Sequence, residues 1–198
     1  MVICVTNQAL CKDDFLKRLT AICKAGPKFV ILREKTLNEA EYAHLSQRCL
    51  TICRQFNVPL VLHSHIQTAL TLSVSAIHLP QPLLQAHQKH LNAFQTVGAS
   101  VHTVQQAISA QQMGATYLIA GHIFQTTCKA NLPPQGVEFL KAVQSAVTIP
   151  VYPIGGVNRS TVPKLQSAGI QDFCIMSELM TCTRPEQTVC YYNRISKK

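Results

Sequence analysis

The feature that most constrains the fold is the regular return of short apolar or β-branched runs along the chain. Eight such runs occur, and helical patterns with polar starts separate most of them. A short continuous run of this composition is typical of a strand that is buried on both faces. The predicted strands are residues 2–6, 29–33, 60–63, 76–79, 96–101, 117–120, 151–154 and 173–176.

The segments between the strands have the apolar spacing of amphipathic helices. In residues 38–56 the apolar side chains recur at Tyr42, Leu45, Cys49, Ile52 and Cys53. Residues 104–113, 137–147 and 162–168 are predicted helices as well. Because strands that alternate with helices form parallel pairs with right-handed crossovers, the chain is predicted to be an α/β protein.

Two architectures satisfy this alternation, an open doubly wound sheet and a closed (β/α)8 TIM barrel. Eight units favour the barrel, although 198 residues is near the lower limit for this fold. An open sheet usually carries a glycine-rich phosphate turn after its first strand, and the segment Val5-Thr6-Asn7-Gln8 has none. We therefore expect a single TIM-barrel domain over residues 1–198.

Composition narrows the function classes. Hydrophobic residues make up 47% and charged residues 14%, which suits one globular domain and excludes a disordered chain. No window approaches the roughly 18 apolar residues of a membrane span, and the start lacks the basic region of a secretory signal, so we expect a cytoplasmic protein without a membrane partner. The charge of +9 is scattered and no nucleic-acid motif occurs, so no nucleic-acid partner is expected.

The nine cysteines are odd in number, and no C-x-x-C motif occurs. In a chain without a secretion signal, scattered cysteines of this kind are typical of buried reduced thiols. Cys49, Cys53 and a histidine could hold zinc, but cysteines four residues apart on a helix more often face the core. We therefore expect no metal site.

Two strand ends carry residues that suit a phosphate site. Gly155 and Gly156 follow the seventh strand, and Met176 and Ser177 end the eighth. These strand ends often hold phosphate in barrel enzymes, because glycines let backbone N–H groups approach the anion and a helix start adds partial positive charge. The loop over residues 124–135, after the sixth strand, is a candidate substrate loop.

Eight short segments, spread over about residues 2–180, occur together in the order of one known superfamily. They are Leu32-Arg33-Glu34-Lys35, Ala76-Ile77-His78-Leu79, Gly98-Ala99-Ser100-Val101-His102-Thr103, Gly114-Ala115-Thr116-Tyr117, Gly121-His122-Ile123-Phe124, Thr127-Cys128-Lys129, Pro153-Ile154-Gly155-Gly156-Val157 and Met176-Ser177. In these segments the chain resembles the thiamine phosphate synthases and TenI-type thiazole tautomerases. The resemblance implies a (β/α)8 barrel that binds a thiazole phosphate at its mouth, with the phosphate held by the last two strand ends.

The two branches of this superfamily need different residues. The synthase branch joins a pyrimidine diphosphate to the thiazole phosphate, and the resemblance implies a Mg²⁺ site on an Asn-Asp pair after the third strand and an Asp after the fourth. Mg²⁺ prefers carboxylate oxygens, but this chain has His63-Ser64-His65 at the third strand and Gln81 after the fourth. The aspartates are Asp13, Asp14 and Asp172. Synthase activity is therefore disfavoured.

The tautomerase branch needs no metal. The resemblance implies a carboxylated dihydrothiazole phosphate, in which a proton moves from ring C2 to an exocyclic carbon and leaves an aromatic thiazole. An imidazole, with a pKa of about 6.5, can both accept and return a proton at neutral pH. His122, in Gly121-His122-Ile123-Phe124, stands where the resemblance gives synthases a proline, and is the predicted catalytic residue.

Cations at the end of the second strand are suited to the substrate carboxylate. Arg33 and Lys35 face the same way if side chains alternate along the strand. Arg33 is predicted to pair with the carboxylate and to stabilise the charge that builds up when C2 loses its proton. A surface ion pair between Arg33 and Glu34 is the alternative. The further predicted ligand contacts are Lys35, Ser100, Thr126 and Lys129.

Four other histidines lie near predicted strand ends. His102 belongs to a segment that both branches share, so it supports the fold or helps to orient the phosphate. Alternation places His78 away from the mouth, and His63 and His65 are candidates to line the pocket.

The sequence thus predicts a thiazole tautomerase of thiamine biosynthesis, an intramolecular isomerase without cofactor or metal, whose partner is a thiazole phosphate carboxylate. Three alternatives stay open: a degenerate synthase, a non-catalytic regulator that binds thiazole phosphate, and a nucleic-acid binder attracted by the charge of +9. The oligomeric state is also open, a homo-oligomer included.

Overall fold

The computed structural model describes residues 1–127 and 132–196. Strands and helices alternate along these ranges, which confirms the predicted α/β class with the eight strand–helix units of a (β/α)8 barrel. The strands are β1 (Val2–Val5), β2 (Val30–Leu32), β3 (Leu60–His63), β4 (Ala76–Pro80), β5 (Thr96–Val101), β6 (Tyr117–Gly121), β7 (Val151–Ile154) and β8 (Phe173–Ile175). The α-helices are α1 (Phe15–Lys24), α2 (Glu39–Gln55), α3 (Ile66–Thr71), α4 (Gln81–Ala86), α5 (Val104–Gln112), α6 (Gly136–Ala146), α7 (Val162–Ser167), α8 (Ser177–Thr181) and α9 (Pro185–Ile195).

The chain divides into two compact units, residues 1–75 with 175–198 and residues 76–174. In the first unit β1, β2 and β3 form parallel pairs, with Cys4 opposite Val30 and Val30 opposite Leu60. Helix α1 packs against α2 and α9. Asp14 caps α1 by accepting a hydrogen bond from the backbone of Lys17, which satisfies one of the free N–H groups of the first turn.

The strands of the first unit are buried along their whole length, as the predicted two-sided burial requires. Residues from β1, α1, α2 and α9 supply the apolar core, and several of its members are cysteines. The fully or almost fully buried core residues include Val2, Ile3, Cys4, Leu19, Ile22, Cys23, Tyr42, Cys49, Cys53, Val189 and Tyr192. The buried cysteines are free thiols, as expected, and burial raises the pKa of Cys49 to about 12.

The second unit contains the parallel strands β4 to β7. Ala76 is opposite Thr96, Gly98 is opposite Tyr117, and Leu118 is opposite Val151. Helices α5 and α6 pack against each other and against these strands. The buried apolar side chains of this unit include Ile77, Leu79, Val97, Val101, Leu118, Ile119, Leu140 and Val143.

No helix in the described part of the chain combines the length and the apolar character that crossing a membrane requires.

Candidate functional site

In the first unit, the end of β2 is tied to the end of β1 by a buried carboxylate. Thr6 donates from Oγ1 to Glu34 Oε1 at 2.6 Å, and the backbone N–H of Gln8 donates to the same carboxylate at 2.9 Å. The backbone N–H of Arg33 donates in turn to Thr6 Oγ1 at 3.0 Å. Glu34 is only 4% exposed, and burial raises the pKa of its carboxyl group. The backbone of Arg33 is therefore tied to the end of β1.

Arg33 reaches the end of β8. Its Nη1 lies 4.0 Å from the sulfur of Met176, and Met176 immediately precedes Ser177, the first residue of α8. The structure thus brings together two predicted site residues, the proposed carboxylate ligand Arg33 and the phosphate residue Met176, and places Ser177 beside them in the chain. Lys35, two residues after Arg33, is exposed.

The end of β3 carries a buried imidazole. His63 is 8% exposed, and its Nδ1 lies 2.7 Å from Ser64 Oγ. Its backbone N–H donates to Tyr42 Oη at 2.9 Å, and Tyr42 donates to the carbonyl of Leu32 at 2.6 Å. Burial, and then the nearby charges of Arg33 and Lys35, lower the pKa of His63 to about 3. The ring is therefore neutral at pH 7.

His65 has a different environment, although it was a candidate for the same pocket. Its ring stacks on Tyr42 with 3.8 Å between ring centroids, and its Nδ1 lies 2.6 Å from Glu39 Oε2. Thr68 also donates to Glu39, and this hydrogen bond is the largest cause of the lowered pKa of that carboxyl group. These contacts link His65 to the first turn of α2.

In the second unit, His122 follows directly on β6, after a cis peptide bond from Gly121. Its side chain is 5% exposed, and its Nε2 lies 3.2 Å from the carbonyl oxygen of Leu132. Because a carbonyl can only accept, Nε2 must carry the hydrogen of this bond. In the neutral ring the free lone pair is then on Nδ1, so Nδ1 is the nitrogen that can accept a proton.

Main-chain contacts fix the position of His122. Its carbonyl accepts from the backbone N–H of Gln135 at 3.0 Å. Gly155, with φ of +93°, packs directly on His122: a Cβ at position 155 would overlap the His122 Cβ and lie 2.8 Å from its Cα. A Cβ at Gly156, which has a φ of +66°, would lie 2.7 Å from the carbonyl oxygen of Phe124. The structure therefore brings the predicted catalytic residue His122 into contact with Gly155, one of the two predicted phosphate glycines.

Two further predicted residues lie on or after β5. The ring of His102 bonds through Nδ1 to the carbonyl of Gly121, so it supports the peptide that leads into His122. Ser100 Oγ lies 2.8 Å from Nε2 of His78. Although alternation suggested that His78 points away from the mouth, its buried ring thus reaches a predicted ligand residue.

The candidate substrate loop after β6 is described in part. Thr126 is half-buried, whereas Lys129, together with Cys128, lies outside the described residues. The segment from Leu132 to Gln135 returns to His122 through the two contacts given above. Sequence reasoning did not find this role, because it is carried by a backbone carbonyl and a backbone N–H, which any residue can supply.

Comparisons with known proteins identify the family. A family profile described as "Thiamine monophosphate synthase" matches residues 2–179, which is most of the chain. The chain belongs to this family. The thiamine-phosphate synthase of Clostridium tetani is 31% identical to this family member over 179 residues, with 89% of this chain and 86% of the relative covered. The thiamine-phosphate synthase of Lacticaseibacillus paracasei is 32% identical over 169 residues, covering 84% and 79% respectively.

The fold of this member of the thiamine monophosphate synthase family is also found among solved structures. Thiamine phosphate pyrophosphorylase from Pyrococcus furiosus matches with a TM-score of 0.87, covering 99% of this chain and 95% of its own, at 20% sequence identity. At this identity the likeness shows a shared fold. The family assignment places the chain in a family of thiamine biosynthesis whose relatives given above are named thiamine-phosphate synthases.

Proposed function

We propose that the chain is a thiazole tautomerase of thiamine biosynthesis, which aromatises a carboxylated dihydrothiazole phosphate without a metal or cofactor. The observation that carries the proposal is the state of His122. Its Nε2 is bonded to the carbonyl of Leu132, and its other nitrogen is left as the proton acceptor in the neutral ring. The packing of Gly155, a proposed phosphate contact, on the Cα and Cβ of His122 supports the proposal.

The proposed reaction is a proton transfer within one substrate molecule. His122 Nδ1 takes the proton from ring C2, and the electron pair of the C–H bond enters the conjugated system. The imidazolium then returns the same proton to the exocyclic carbon, so the reaction is balanced and leaves an aromatic ring. The carbonyl of Leu132 stabilises the imidazolium by accepting a hydrogen bond throughout.

The remaining ligand roles belong to the same proposal. Arg33 pairs with the substrate carboxylate, where its fixed charge stabilises the transition state more than the ground state. The other proposed contacts to the substrate and its phosphate are Lys35, Ser100, Thr126, Lys129, Gly155, Gly156, Met176 and Ser177.

Replacement of His122 tests the proposal. We expect His122→Gln to lower turnover by roughly 10² or more, the scale of a lost general base, while product affinity stays within a few-fold. Glutamine keeps an N–H group for the carbonyl of Leu132, so the local hydrogen bond survives. His90→Gln, at an exposed position of the same unit, is the control and should keep wild-type activity. Tautomerisation is followed by ultraviolet absorbance, and a wild-type rate in the His122 variant contradicts the proposal.

A second candidate function is thiamine phosphate synthesis, which is favoured by the names of the relatives that are 31% and 32% identical. The residues at the end of β3 do not fit the Mg²⁺ ion that this reaction implies. His63 Nδ1 is engaged by Ser64, and the charges of Arg33 and Lys35 act on the same ring and repel a cation.

Two of the aspartates have other partners. Asp13 forms an ion pair with Arg18 at 2.7 Å, and Asp14 caps α1. The synthase candidate is tested by incubating the chain with Mg²⁺, the pyrimidine diphosphate and the thiazole phosphate. Formation of thiamine phosphate at a rate that exceeds tautomerisation supports this candidate and contradicts the first.

A further inference from the structure

Three polar side chains on neighbouring strands of the second unit form a hydrogen-bonded chain. His78 on β4 lies between Ser100 on β5 and Tyr117 on β6. The distance from His78 Nε2 to Ser100 Oγ is 2.8 Å, and the distance from His78 Nδ1 to Tyr117 Oη is 3.1 Å. His78 is 2% exposed and Tyr117 is 4% exposed, whereas Ser100 is half-buried. These hydrogen bonds thus connect the interior of the unit to a residue that solvent can reach.

Gly98 leaves the space in which two of these hydrogen-bonded side chains, Tyr117 and His78, meet. A Cβ at that position would overlap both the Tyr117 ring and Nδ1 of His78. Gly98 is opposite Tyr117 in the register of β5 and β6, and opposite His78 in the register of β4 and β5. A glycine therefore stands where a side chain would overlap both the phenol and the imidazole.

The chemistry of the three groups gives the hydrogen bonds a direction. A phenol is a better donor than acceptor, and a neutral imidazole has one accepting and one donating nitrogen. Burial raises the pKa of Tyr117 well above its usual value, so the phenol keeps its proton. Tyr117 then donates to Nδ1 of His78, and Nε2 of His78 carries the hydrogen that is donated to Ser100 Oγ. The hydroxyl hydrogen of Ser100 is left for another partner.

We propose that Tyr117 and His78 are positioning residues that hold the Ser100 hydroxyl as a hydrogen-bond donor to an anionic oxygen of the bound ligand. A serine oriented in this way favours a phosphate or carboxylate oxygen over a ligand N–H group. The part of this inference that concerns the ligand rests on the proposed function, because Ser100 is a substrate contact only there. The direction of the hydrogen bonds does not depend on it.

The protonated nitrogen of His78 can be observed directly by long-range ¹H–¹⁵N NMR spectra of the ¹⁵N-labelled protein. We expect hydrogen on Nε2 and a bare Nδ1 in the wild type. In Tyr117→Phe, which removes the donor to Nδ1, the Nδ1 resonance should shift, or the second tautomer should become populated. Tyr152→Phe removes a hydroxyl from the neighbouring ring, whose centroid is 5.8 Å from that of Tyr117, and should leave His78 unchanged. Hydrogen on Nδ1 in the wild type overturns the proposed direction.

Binding measurements test the role toward the ligand. We expect Ser100→Ala to weaken the binding of a thiazole probe that carries the recognised anion about tenfold, and Tyr117→Phe about threefold. These are the effects of a lost and a misdirected hydrogen bond to a charged group. In the Ser100→Ala background, Tyr117→Phe should have no further effect, because it acts through the serine. A structural role for Tyr117 would instead weaken binding in both backgrounds, and that result overturns the positioning role.

Two probes identify the ligand group, the thiazole phosphate without a carboxylate and the thiazole carboxylate without a phosphate. Loss of affinity in Ser100→Ala for one probe alone assigns the hydroxyl to the anion of that probe. Unchanged affinity for both overturns the ligand role of Ser100. Both affinity measurements are made without turnover. If the wild-type protein lacks tautomerase activity, the proposed function is contradicted, and the results for Ser100 and His78 are still judged on their own.

Discussion

The buried imidazole of His63 should make the stability of the chain fall in mild acid. The native pKa of about 3 lies below the 6.5 of a free imidazole, so the unfolded chain binds a proton that the native chain does not between these values. The free energy of unfolding therefore decreases as the pH falls through this window, by 1.36 kcal/mol per pH unit. Between pH 7 and pH 5 this removes about 2 kcal/mol, because only the interval below 6.5 contributes.

Urea unfolding at pH 7 and pH 5 measures this loss by comparison with His63→Gln. The carboxyl groups titrate in both proteins, so the difference between the two proteins isolates His63. The variant is less stable at pH 7, where it lacks the native packing, and its deficit should shrink by about 2 kcal/mol at pH 5. His44→Gln, on the exposed face of α2, should keep the wild-type pH dependence. Equal pH dependence in wild type and His63→Gln would refute a buried neutral imidazole at this position.

Two further substitutions test the contacts around the site. Gly155→Ala should lower both the melting temperature and the activity, because its Cβ would overlap His122, whereas Gly169→Ala has a similar φ of +78° but open space around it and should lower the melting temperature less, with activity retained. Tyr42→Phe should cost about 1–3 kcal/mol in urea unfolding, because it removes the hydroxyl that bonds to the carbonyl of Leu32 and the N–H of His63.

The strands were predictable because they are buried on both faces. Each predicted strand is present, and no end differs from the prediction by more than one residue. The four predicted helices agree equally well. Helices α1, α3, α4, α8 and α9 were not predicted. Three of them, α3, α4 and α8, have only five or six residues, which is fewer than two turns and leaves little room for an apolar period to show. The succession of strands that defines the fold can thus be predicted from the hydrophobicity of the sequence.

The sequence indicated candidate site residues only where residue type decides the chemistry. A histidine at the end of β6 and a Gly-Gly pair after β7 stand out in the sequence, and the structure puts His122 against Gly155. The hydrogen bond from His78 to Ser100 was not foreseen, because alternation describes the direction of a side chain and not the reach of its ring. The low pKa of His63 was not predicted either, because it depends on burial and on the charges of residues that follow β2.

The close packing of Gly155 on His122 has a consequence for how the family can vary. His122 is located by main-chain atoms, namely the backbone of Gly155 and the carbonyl and N–H groups of Leu132 and Gln135. Neighbouring side chains other than His102, which supports the preceding peptide, can therefore be exchanged during evolution or in redesign without displacing the imidazole. New ligand preferences can be built around an imidazole whose position is set by the backbone.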